Sequence, residues 1–180
     1  MPEKLNFITA TLMTVFDLFL ADPMQQYHER EVVRRTGVSK GSANKILRLL
    51  TDLGFLIRER KGRMAFYKLH VKDPVVRQFK VLINIYALKN LLDSIRQYSR
   101  RIILFGSCSQ GTDVKQSDID IFFLTLEKDI VRRKISEFNS RNKRKIAPII
   151  IDANEFAKLR KEDKPLYENI ERGIVLWESE

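Results

Sequence analysis

Arg101–Leu124 reads RIILFGSCSQGTDVKQSDIDIFFL, and the rest of the chain is organised around it. It opens with an apolar run, Ile102–Phe105, of the length and β-branched content of a buried strand. Gly106-Ser107 breaks the run, Gly111 follows, and a second strand, Ile119–Leu124, is introduced by Ser117-Asp118-Ile119-Asp120. Side chains alternate faces along a strand, so Asp118 and Asp120 are expected on one side, about 7 Å apart. Two carboxylates that close repel unless a cation lies between them. Hard oxygen ligands of this kind suit Mg²⁺, which takes one or two protein carboxylates and completes its octahedron with water and phosphate oxygens. Gly106 lets a phosphate approach the backbone, and Ser107 offers a hydroxyl. The stretch has the outline of a nucleotide-phosphate and metal site.

These residues resemble the nucleotidyltransferases of the polymerase β superfamily, above all the minimal nucleotidyltransferases. That family reads Gly-Ser, a short helix with a further Gly, then Asp-hydrophobic-Asp on the next strand. The matching positions are Gly106, Ser107, Gly111, Ser117, Asp118 and Asp120, and the resemblance covers about Arg101 to Glu180. It implies that Asp118 and Asp120 hold Mg²⁺ and that Gly106, Ser107, Gly111 and Ser117 bind a nucleoside triphosphate. The family adds a third carboxylate from a neighbouring strand, as second-metal ligand or base. Aligning the strand Ile146–Ile151 puts Ile149 at that position, which leaves Asp152 as the nearest acid and third catalytic candidate, with Glu155 next. An offset of three residues turns Asp152 to the opposite face unless a bulge intervenes. Relatives often carry Arg after Gly-Ser; here Cys108, Ser109 and Gln110 follow, with Lys115 as the compensating cation and Cys108 as a small filler.

Composition bounds what remains. A length of 180 residues allows one medium domain or two small ones, and 44% hydrophobic residues is enough for real cores. A single cysteine excludes an intrachain disulfide, and His28 and His70 are isolated, so no zinc cluster is expected. No apolar run reaches bilayer length and no leader pattern is visible, so a cytoplasmic protein with no membrane partner is expected. The formal charge of +10 is uneven: residues 1–100 hold 18 Lys and Arg against 9 Asp and Glu, a net +9, leaving +1 for the remainder. The first half is therefore the polyanion-binding half.

The pattern there agrees. Leu5–Leu20 reads as an amphipathic helix, ended by Asp22-Pro23. A short helix at Glu29–Arg35, a turn at Gly37 and a Ser39-capped helix Lys40–Leu53 follow. Two strands, Phe55–Arg60 and Met64–Leu69, form a hairpin across Lys61-Gly62. Leu5–His70 resembles the winged helix-turn-helix domains common in prokaryotic transcription regulators. The resemblance implies duplex DNA as partner, contacted by Ser39, Lys40, Ser42, Asn44, Lys45 and Arg48 of the recognition helix and by Arg58, Arg60, Lys61 and Arg63 of the wing. A protein-interaction module is the alternative for such a domain.

Asp73-Pro74 starts a helix running to about Gln97, whose apolar residues cover well over half of its circumference. That surplus predicts a connecting helix and a homodimer element. Lys143-Arg144-Lys145 reads as a solvated charge run or an added phosphate-binding surface. The expected fold is mixed α+β: a winged helix-turn-helix at 1–72, a connecting helix at 73–98 and a small α/β nucleotidyltransferase-like domain with a mixed sheet at 99–180. Two functions stay open. One is an enzyme transferring a nucleoside monophosphate to a protein or nucleic-acid hydroxyl, self-regulating, its target a small helical partner protein as the toxin–antitoxin resemblance implies. The other is a transcription regulator whose inactive nucleotidyltransferase-like domain senses a nucleotide.

Overall fold

Thr9 decides where the first helix begins. It is extended, and its hydroxyl accepts from Leu12 N at 3.2 Å, so α1 spans Ala10–Ala21 after a 3-10 turn at Leu5–Phe7. The continuous helix expected from Leu5 is thereby shortened. The computed structural model describes residues 5–179 and divides into two compact units, Met1–Val76 and Arg77–Glu180.

In the first unit α1 buries Leu12, Val15, Phe16, Phe19 and Leu20, while Ile8 stays exposed. Burying a side chain such as Phe16 or Phe19 contributes roughly 1.5–3 kcal/mol, and both rings also meet aromatic partners, Phe55 at 5.6 Å and Tyr27 at 5.3 Å. A three-residue strand not read from the sequence, β1 (Gln26–His28), leads into α2 (Glu29–Thr36), where the His28 ring caps Glu31 N. Gly37 ends α2, and Ser39 caps α3 (Lys40–Asp52), accepting from Ser42 N at 3.1 Å. Helix α3 buries Ala43, Ile46, Leu47 and Leu50 and leaves Lys40, Lys45 and Arg48 exposed. Strands β2 (Leu56–Lys61) and β3 (Met64–Leu69) pair across the turn Gly62-Arg63, one residue beyond the expected turn. With β1 they form a sheet in the order β1-β3-β2. Helix, turn, helix and hairpin make a winged helix-turn-helix architecture.

Asp73 caps α4 (Pro74–Ile95) by accepting from Val76 N at 2.9 Å, with Pro74 at the first helical position. In the second unit a mixed sheet has the order β6-β5-β4-β7. Its strands are β4 (Arg101–Leu104), β5 (Ile119–Leu124), β6 (Ile146–Ile151) and β7 (Ile174–Glu178). Strands β5 and β6 run parallel, and β4 is antiparallel to both of its neighbours. Alternation along β4 and β5 feeds two cores. Ile102, Leu104, Ile121 and Phe123 join Leu88, Leu91 and Ile95 of α4 and Val131 and Ile135 of α6 (Lys128–Arg141). Ile103, Phe105 and Phe122 join Ile170 of α8 (Lys164–Glu171), with Phe156 and Leu159 of α7 (Ala153–Glu162) against them. Helices on both faces explain why these strands read as continuous apolar runs. No helix among the described residues is long and apolar enough to cross a membrane.

Candidate functional site

The chain leaves β4 through Phe105 and turns into α5 (Gly106–Gln110), a helix of five residues ending at Gly111. Gly106 has φ +66°, a conformation that costs an L side chain, and a Cβ there would collide with Asp120 Oδ2. The Gly106 backbone therefore lies directly against the Asp120 carboxylate, and any larger residue would displace it. Asp120 is half-buried, whereas Asp118, just before β5, is exposed. Burial, and then the neighbouring Asp118 charge, raise the Asp120 carboxyl above its usual range. The pair suits one hard cation, with the remaining coordination positions left to water and phosphate oxygens.

Among the described residues no third carboxylate groups with this pair. The register of β5 with β6 sets Asp120 opposite Ala147 and Phe122 opposite Ile149. The position flanking Asp120 is thus Ala147, which is exposed, while Ile149 lies opposite Phe122. Asp152 lies five residues beyond Ala147, about 16 Å along an extended strand. There it caps α7 in a reciprocal capping box with Glu155, and both acids hold Lys128, at 2.9 and 2.5 Å. The Glu155 backbone N–H and Lys128 hold the Asp152 carboxyl down at about 2. This is helix-capping chemistry. Among the described residues no group of three or more His, Cys, Asp or Glu could hold a metal ion.

Two other expected phosphate ligands have structural work. Gly111, at φ +65°, caps α5 and lies so close to the Arg77 carbonyl of α4 that a Cβ would overlap it. The Ser117 hydroxyl accepts from Val114 N at 2.9 Å and closes the turn that delivers Asp118. Ser107, half-buried on α5, remains beside Gly106.

The residue that sequence reasoning missed is Arg144. Within the supposed charge run it turns inward. Its Nε donates to Ser117 O at 3.2 Å and its Nη1 to Asn84 Oδ1 at 3.0 Å. Its Nη2 lies 2.9 Å from Cys108 Sγ and 3.2 Å from Asp113 Oδ2. Asn84 of α4 donates to Cys108 O at 3.1 Å and to Asp113 Oδ1 at 3.0 Å. Lys80, also on α4, pairs with Asp113 at 3.4 Å and donates to its carbonyl oxygen. Lys80, Asn84 and Asp113 are all buried. This network pins α4, the Gly-Ser helix and the loop before β5 to one another. Lys115, the cation expected to compensate for the missing family Arg, lies exposed on that loop. Cys108 is fully buried, and burial pushes its thiol up, as befits a filler. No periodicity or spacing marks Arg144, since its partners are distant in sequence.

In the first unit, Lys40, Lys45, Arg48, Arg58, Arg60 and Arg63 are exposed. Ser39 and Ser42 are engaged with each other at 2.9 Å at the start of α3. Lys61 is tied back, donating to Gln26 Oε1 at 2.6 Å and lying 5.3 Å over the Phe66 ring. Asn44 donates to Glu29 Oε2 at 2.6 Å. Asn44, Arg48 and Arg58 share the wall of a concavity of about 400 Å³ between α3 and the hairpin.

No curated protein sequence matches the chain. Solved structures with local likeness include the DNA-binding protein Sso10a-2 from Sulfolobus solfataricus, 21% identical over 48% of this chain and 96% of that one, with a TM-score of 0.34. Another is a protein from Sulfolobus solfataricus assigned as a nucleotidyltransferase, 16% identical over 58% and 85%, with a TM-score of 0.35. A third is the archaeal chromatin protein TrmBL2, 12% identical over 91% and 72%, with a TM-score of 0.35. At those scores the likenesses carry no argument for this chain. The family profile described as "Nucleotidyltransferase domain" matches residues 85–176, just over half of the chain, across β4, the Gly-Ser turn, the paired aspartates and β6. This chain belongs to the nucleotidyltransferase domain family.

Proposed function

We propose that this chain is a DNA-binding regulator whose nucleotidyltransferase-fold unit binds a magnesium–nucleoside triphosphate as an effector rather than turning it over. The observation that supports this reading is that neither Ala147, at the strand position beside Asp120, nor Ile149, the aligned position, carries the third carboxylate that the family resemblance implies on this strand. Asp118 and Asp120 would hold Mg²⁺, and Gly106 and Ser107 would take the β,γ-phosphates. The bound ion would supply charge neutralisation between two carboxylates and a polyphosphate that otherwise repel. Nucleotidyl transfer also needs a base or a second metal to activate the attacking hydroxyl. Nothing among the described residues groups a third carboxylate with the pair for that task.

The DNA-binding half of the proposal rests on the exposed cations of α3 and the hairpin and on the net +9 of residues 1–100. A second copy docked along α4 completes the reading, supported by Leu82 and Tyr86, which are 60% and 74% exposed on that helix. A twofold pair would present two recognition helices to one duplex.

Calorimetry of the intact protein with ATP, GTP, CTP and UTP, with and without Mg²⁺, tests the site. Binding is expected only with the metal, and Asp118→Asn with Asp120→Asn abolishes it while DNA binding persists. Equal nucleotide affinity in that double variant would refute the metal-site assignment. Incubation with α-labelled triphosphate in cell extract separates sensor from enzyme. Label retained only non-covalently fits the effector reading, and label transferred to a protein or RNA overturns it in favour of catalysis.

A further inference from the structure

A surface that binds phosphates gains nothing from a carboxylate, yet Glu29 sits among its cations. Glu29 is the first residue of α2, half-buried, and Asn44 Nδ2 donates to its Oε2 at 2.6 Å. An ionised carboxylate only accepts hydrogen bonds. The contact therefore orients the Asn44 amide: one of its two N–H groups is taken by Glu29, and Oδ1 is left as an acceptor beside the second N–H. Both side chains line the concavity that also holds Arg48 and Arg58, between α3 and the β2–β3 hairpin.

We infer that the Glu29–Asn44 pair determines sequence specificity on this face, selecting a base edge that offers an amino group, cytosine or adenine; the inference rests on the duplex-DNA reading above. In the major groove cytosine presents N4–H₂ and adenine N6–H₂, whereas guanine presents only the acceptors N7 and O6, and thymine the acceptor O4 and a methyl group. Asn44 Oδ1 and the second Glu29 oxygen are acceptors, so they match the first two edges and oppose the last two. The Glu29 charge weakens attraction to phosphates in every sequence alike, and it gains discrimination by opposing the wrong edges. Glu29 acts partly as a positioning residue, holding the Asn44 amide in one of its two orientations. Without the carboxylate the amide can flip and accept or donate, and the selectivity is lost.

The test is selection of duplexes from a random library by the intact protein, for the natural chain and for Glu29→Gln, Asn44→Ala and the double variant. A parallel salt titration against random duplex measures non-specific affinity. The natural chain is expected to enrich cytosine or adenine at one position of its site. Glu29→Gln, which keeps the size of the side chain, lowers that preference by on the order of tenfold and tightens binding to random duplex. The double variant loses more of the preference than Asn44→Ala alone, because the second Glu29 oxygen no longer accepts from the base edge, a further loss that a merely positioning role for Glu29 would not produce. An unchanged preference in Glu29→Gln, or enrichment of guanine or thymine at the position sensitive to Asn44→Ala, overturns the inference while DNA binding stands. Failure of the natural chain to retain any duplex at low salt overturns the DNA-binding reading itself, and this inference with it.

Discussion

Replacing Asp113 by Asn tests whether the buried network holds together the elements that carry the proposed site. Lys80 and Asp113 are 4% and 5% exposed, and the single carboxylate faces two cations, with Lys80 at 3.4 Å and Arg144 at 3.2 Å. Removing one partner of a buried ion pair typically costs about 3–5 kcal/mol, because the other charge is left uncompensated. Lys80 keeps the Asp113 carbonyl, and Arg144 is partly exposed and keeps Ser117, Asn84 and Cys108. The lower end, about 3 kcal/mol, is therefore expected, or about 12–24 °C in the melting midpoint of a unit of roughly 100 residues. Burial already pushes the Lys80 ammonium below its usual range, and the Asp113 charge opposes that fall. Without Asp113 it falls further. Between that lowered value and about 10.4 the unfolded chain binds more protons than the folded one, so stability rises with pH. The natural chain shares the upper part of that rise, so the deficit of Asp113→Asn should shrink as pH climbs through the lowered Lys80 range. Urea unfolding followed by the fluorescence of Trp177, the single tryptophan, reads this unit directly. The paired variant Lys80→Met with Asp113→Leu should recover part of the loss, since the buried ammonium is gone while Asn84 and Arg144 still lack the carboxylate. A loss under about 1 kcal/mol in Asp113→Asn, or a deficit that grows with pH, would refute the reasoning.

Ala147→Asp installs the absent carboxylate beside Asp120: without metal the variant should melt lower, and Mg²⁺ should raise its midpoint more than that of the natural chain; equal metal shifts would remove Ala147 from the site. Because burial and Asp118 raise the Asp120 carboxyl, protons compete with the metal from a higher pH than for an ordinary carboxylate. Magnesium-dependent nucleotide affinity should fall as pH is lowered through that range, earlier in the natural chain than in a simple carboxylate chelator measured alongside. If the protein makes 6–10 phosphate contacts, duplex affinity should drop by roughly 10³–10⁵ between 50 and 200 mM salt, and Arg58→Ala with Arg60→Ala and Arg63→Ala should flatten that slope; an unaltered slope would take the wing out of the interface. Leu82→Glu places a charge on the exposed α4 face and should yield a folded monomer by light scattering, whereas a dimer of natural size would put the subunit contact elsewhere.

Local pattern determined most of the architecture. Gly-Ser followed by paired aspartates on a strand, the Ser39 and Asp73 caps, and the alternation of β4 and β5 are each decided by neighbours within a few residues, where chain geometry leaves few options. Strand β6 was legible for the same reason, but its register was not, since a shift along a parallel pair leaves the apolar pattern of IAPIII almost unchanged. Only the paired sheet identifies Ala147 as the neighbour of Asp120, and only the start of α7 makes Asp152 a cap. Arg144 read as part of a solvated charge run, and nothing in the sequence marked Lys80 or Asn84, because their partners lie 24 to 60 residues away. Burial in the tertiary fold reverses that reading: a polar group removed from water must find partners, and in this chain those partners hold together the elements that carry the site.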